Sequence, residues 1–129
     1  MQDEPKPVEV LSAVARFLKE TVAAETTGHT SFNARVAANA LEMMRRQLEL
    51  APAAETAEHA RLKTLLNSDG DLAALNAELC RRLKTGELNL QSPGLAEHLW
   101  ETTLAKLSVD QPTYWGYRAA LAHRAQTND

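Results

Sequence analysis

Arg35, Asn39, Glu42 and Arg46 recur at i, i+4, i+7 and i+11, which lays four polar side chains along one face of a helix. Guanidinium groups match carboxylate and phosphate geometrically, and an asparagine amide both donates and accepts, so the stripe could recognise an anion or an amide. The same four residues could equally form a solvated face held by helical ion pairs. Phe32, Val36, Ala37, Ala38 and Ala40 surround Arg35 and Asn39. That setting predicts partial burial of the pair, with hydrogen bonds satisfying it.

Tyr114, Trp115, Tyr117 and Arg118 combine the residue types most enriched where proteins bind one another. Rings on a C-terminal element could also close a core, and both readings stand. Asn67, Asp69, Asp71 and Glu78 match positions one, three, five and twelve of a calcium loop. Leu72 occupies the position where that loop needs glycine for its turn, so helix capping is the better account of the acids. His29, His59, His98 and His123 form no metal-binding arrangement; Glu55 and His59 stand one turn apart, but two ligands do not make a site. Each histidine is expected at the surface. Cys80 lacks any nucleophile motif and reads as a small packing residue. Arg81, Arg82 and Lys84 are expected to face the C-terminal dipole of their own helix. No catalytic residue, metal site or cofactor is expected.

The elements that must carry these residues are helices. Val10, Leu11, Val14, Phe17, Leu18 and Val22 keep helical spacing from Pro7 to about Glu25. Thr30 or Ser31 can cap a second helix to Leu50, whose apolar face is Phe32, Val36, Ala40, Met43, Met44 and Leu48. Pro52 suits the first turn of a third, with Leu62, Leu65 and Leu66 buried. Asp69 or Asp71 caps a fourth with Leu72, Leu75, Leu79 and Leu83 in its stripe, and Gly86 ends it. Ser92 and Pro93 open a fifth carrying Leu95, Leu99, Trp100, Leu104 and Leu107, and a last helix runs from about Thr113 to Ala125. Alternating β patterns are missing and isoleucine does not occur. The expectation is an all-α, single-domain bundle of five to six helices over residues 1–129, with flexible ends at 1–6 and 126–129.

Composition narrows the classes further. A chain of 129 residues, 44% hydrophobic and 24% charged, lies in the globular range. Its formal net charge of -3 offers no overall attraction to nucleic acid or to anionic lipid. One cysteine cannot form an internal disulfide, and the first residues are acidic where a secretory leader is basic. A cytoplasmic location without membrane or nucleic-acid partners is therefore expected.

The run Phe32-Asn33-Ala34-Arg35-Val36-Ala37-Ala38-Asn39-Ala40-Leu41 resembles a bacterial family of uncharacterised small all-helical proteins that carry a similar F-x-x-R-V-A-x-N-x-L segment. The likeness extends to Val10 through Leu18, to Leu75-Asn76 with Gly86 after a basic run, and to Lys106-Leu107 followed by Pro112 and Tyr114. It is weakest from Pro52 to Leu66. Members of that family resemble accessory proteins encoded beside aminoglycoside-phosphotransferase-like kinases and acyl-CoA dehydrogenases. The resemblance implies a non-enzymatic partner subunit of such a kinase in hydroxyacyl-CoA catabolism. A binding module for acyl-CoA or a phosphorylated acyl group at Arg35 and Asn39 is the alternative, and an independent enzyme the third reading. Self-association is a further expectation. The resemblance carries no catalytic residue across.

Overall fold

The computed structural model describes residues 3–127. The elements are α1 (Pro7–Phe17), a π-helical turn (Leu18–Val22), α2 (Ala23–Glu25), α3 (Gly28–Leu66), α4 (Leu72–Thr85), α5 (Leu95–Asp110) and α6 (Trp115–Thr127). Among the described residues there is no strand, so the fold is all-α as the periodicities predict. Positions 1, 2, 128 and 129, part of the ends expected to be flexible, lie outside the described residues. The chain divides into two compact units, Met1–Leu50 and Ala51–Asp129.

In the first unit the helices bury small side chains. Ala15, Ala23, Ala34 and Ala38 are its buried apolar residues, and Ser31 Oγ donates to the Ala23 carbonyl at 2.8 Å. Alanine lets helix backbones approach closely, and the Ser31 hydroxyl satisfies its own burial by that bond. Side chains of α1 (Val8, Glu9, Ser12, Ala13, Arg16) and of α3 (Arg45, Glu49) line one shallow concavity. The expected stripe from Val10 to Val22 is not buried as one face, since Val10, Val14 and Phe17 are exposed, and the π turn that follows them shifts its register. Ala23 N–H reaches back five residues to the Leu18 carbonyl, so each residue after the turn is rotated against the α-helical register.

The expected burial of α3 is inverted here. Phe32 is 65% exposed and Val36 50% exposed, and Met44 and Leu48 also face water. The helix instead turns Ala34 and Ala38 inward. Arg35 and Asn39 are exposed too, which corrects the partial burial expected for them.

Pro52 was expected to open a separate helix, yet α3 runs through it without a break. Proline carries no N–H, so the bond to the carbonyl four residues back is lost there, at a cost on the order of 3 kcal/mol. Strong helix formers on both sides (Leu48, Glu49, Leu50, Ala51, Ala53, Ala54 and Glu55) favour continuation strongly enough to offset it. The Thr56 hydroxyl donates to the Pro52 carbonyl at 2.8 Å.

The second unit holds the large-residue core. Leu62 and Leu66 of α3, Leu75 and Leu79 of α4 and Leu95 of α5 are buried together, with Leu65, Leu72 and Leu88 packed against them. Asp71 caps α4 by accepting from the Ala74 N–H at 2.8 Å. Gly86, at φ 78, ends the helix in the left-handed conformation that glycine reaches without strain. The expected stripe stops short of Leu83, which is exposed. Ser92 and Pro93 do not cap α5. The Ser92 hydroxyl instead accepts from Asn89 N–H at 3.0 Å within the loop, and Gly94 at φ 82 precedes the helix.

Candidate functional site

The acids of the calcium-like segment are all engaged elsewhere. Asp69 pairs with Lys63 at 2.6 Å, Asp71 caps α4, and Glu78 pairs with Arg81 and Arg82. His59 donates from Nε2 to the Gly70 carbonyl at 2.7 Å, so its ring closes the α3–α4 turn. Capping accounts for Asp71 as the sequence predicts, whereas Asp69 and Glu78 are held by ion pairs.

The α3 stripe keeps its spacing along one helix, and its carboxylate pairs with a neighbouring arginine. Glu42 is drawn to Arg45 at 3.1 Å, and Arg45 also reaches Glu49 at 2.6 Å, so the ion pairs run along the helix beside the stripe. The Glu42 carboxylate is the main cause of the upward shift in Arg45 pKa. Arg46 is half-buried, whereas Arg35 and Asn39 stand in solvent.

The C-terminal cluster separates into two parts. Tyr114 and Trp115 form a tilted ring pair with centroids 5.6 Å apart, and Trp115 is 75% exposed. A Cβ on Gly116 would stand 2.7 Å from the Tyr114 ring, so glycine there is what admits the ring. Tyr117 instead lines a crevice of about 270 Å³ in the second unit with Arg61, Glu101, Leu104, Ser108 and Arg124, and Arg124 pairs with Glu101. Arg118 is exposed.

Sequence reasoning missed the most polar buried position. His98 was expected at the surface but is 2% exposed, and its Nδ1 has no hydrogen-bond partner. It lies three residues after the fully buried Leu95, on the inward face of α5, and its backbone N–H donates to the Gly94 carbonyl at 2.9 Å. Arg61 follows a similar logic, one residue before the buried Leu62 in α3. Its Nη2 reaches Thr102 Oγ1 at a long 3.4 Å, and its Nε–H is buried without an acceptor. Arg61 and His98 line a second cleft of about 430 Å³ with Ala60, Thr64, Leu65, Pro93, Gly94 and Glu97. Burial holds the His98 pKa below its ordinary value, the Arg61 charge lowers it further, and Glu58 opposes the shift. The signal was present in the Leu95, His98, Thr102 spacing, which places the histidine on the face that leucine marks as buried.

Among the described residues no group of three or more histidine, cysteine or acidic side chains could hold a metal ion, and no helix is long and apolar enough to cross a membrane. A family model described as Domain of unknown function (DUF6285) matches residues 24–114, from within α2 to the residue before α6. No curated protein and no solved structure matches the chain.

Proposed function

The chain belongs to the DUF6285 family, and from that premise we propose that it is a non-enzymatic partner subunit of a phosphotransferase-like kinase in hydroxyacyl-CoA catabolism. One observation carries the reading. In α3 the alanines Ala34 and Ala38 are buried while Phe32 and Val36, beside Arg35 and Asn39, face solvent. Large apolar side chains grouped at a surface and rimmed by polar ones mark interaction sites. An aromatic anchor next to arginine is the composition that carries binding energy at interfaces. Trp115 and Tyr114 offer a second anchor of the same kind in the second unit.

Co-expression with a phosphotransferase-like kinase tests the proposal. The two are expected to co-purify, and the kinase is expected to lose activity or solubility when this chain is omitted. A kinase that is monodisperse and fully active alone, and that does not retain this chain on a column, overturns it.

A further inference from the structure

We propose that the cleft between α3 and α5 in the second unit binds a short aliphatic carboxylate, its oxygens accepting from Arg61 Nε–H and His98 Nδ1–H and its tail lying against Ala60, Leu65 and Pro93. The inference does not depend on the partner-subunit reading. It starts from two buried nitrogens, Arg61 Nε and His98 Nδ1, that have no hydrogen-bond partner. An arginine Nε–H can only donate, so the group missing opposite it is an acceptor oxygen. Leaving such a donor unpaired costs about 1–3 kcal/mol, and a ligand that supplies the acceptor recovers that free energy on binding.

Both side chains line one cleft of about 430 Å³, whose remaining wall is largely apolar. His98 is 2% exposed and neither nitrogen is open to solvent, so the ligand oxygens reach them when the Arg61 side chain gives way at the cleft wall. The charges around the ring set the ligand's charge. Arg61 attracts an anion, whereas Glu97 lines the same cleft and Glu58 acts on His98. Two carboxylates against one guanidinium disfavour a dianion more than a monoanion, so a carboxylate is selected over phosphate. The apolar lining then favours a short alkyl tail over none.

The His98 ring resonances of the whole chain, followed by NMR during titration with sodium acetate, sodium butyrate or inorganic phosphate against matched sodium chloride, test this directly. Butyrate is expected to give a saturable shift in the low millimolar range, with acetate weaker and phosphate weakest. Bound carboxylate is also expected to raise the His98 pKa, since a negative charge at the ring favours the imidazolium. Arg61→Lys keeps the charge without the Nε–H and is expected to weaken butyrate binding about tenfold or more. No saturable shift with any of the three anions overturns the site. Phosphate binding tighter than butyrate overturns the assignment to a carboxylate.

Discussion

Arg82 donates from Nη1 to the carbonyl of Leu66 at 3.1 Å, so an arginine of α4 closes the C-terminal end of α3. The last carbonyls of a helix have no partner within it, and a guanidinium meets that need with charge as well as geometry. Arg82 Nε also pairs with Glu78 at 2.6 Å. Position alone predicts that the basic run in α4 serves its own helix end, yet Arg82 serves another.

Replacing Arg82 is therefore expected to cost more than replacing its neighbour. Arg82→Ala removes a charge-assisted bond to the Leu66 carbonyl and is expected to lose about 1–2 kcal/mol in urea denaturation. Arg81→Ala removes pairs with Glu78 and Glu87 that are open to water, and a smaller loss is expected. Equal losses in the two variants would contradict the assignment of the Leu66 contact.

Acid should weaken the fold in two separate windows. His98 has a folded pKa below its ordinary 6.5, mainly through burial, so the unfolded chain takes up the proton first. Stability is expected to decline as pH falls through about 6.5 and to keep declining until the folded ring is protonated. Glu78 is held down to about 2 by Arg81 and Arg82, against an ordinary 4.5. Its contribution is present above that ordinary value and is lost as pH falls toward about 2. Melting temperatures of the wild type and His98→Leu between pH 7.5 and 5.5 separate the first window from the second. The variant is expected to show a flatter profile over that range, and an unchanged slope would assign the decline to other groups.

Pro52→Ala is expected to stabilise the chain. Proline inside α3 leaves a carbonyl one turn back without its helical donor, and alanine restores that bond together with better helix propensity. A gain of about 1–3 kcal/mol in chemical denaturation is the expected outcome. Were Pro52 instead the first residue of a separate helix, alanine would give no gain, since proline is well suited to that position.

Much of the second unit was legible because its helices obey simple local rules. The Leu75 and Leu79 stripe, the Asp71 cap and the Gly86 stop all stand where spacing places them. The first unit was not legible in the same way. Periodicity marks which residues share a face, and Phe32 and Val36 do share one, but it cannot say whether alanine or phenylalanine faces inward. Hydrophobicity alone favours the larger residue, whereas Ala34 and Ala38 are the ones buried. Arg61 and His98 escaped notice for a related reason. Each is polar at a position next to, or one turn from, a buried leucine, and only tertiary packing shows that the leucine's face includes it.

The inverted face of α3 separates stability from recognition by mutation. Phe32→Ser and Val36→Ser alter side chains that are at least half exposed, so each is expected to change unfolding free energy by less than about 0.5 kcal/mol. The same variants are expected to abolish co-purification with the kinase, because the anchor is gone while the fold remains. Ala38→Leu behaves in the opposite way. It forces a larger side chain into a 2%-exposed position and is expected to cost about 1–3 kcal/mol through overpacking. Thermal denaturation paired with the pull-down reads both effects in one series. If Phe32→Ser destabilised the chain as much as Ala38→Leu did, Phe32 would be a core residue and α3 would have no free face to offer.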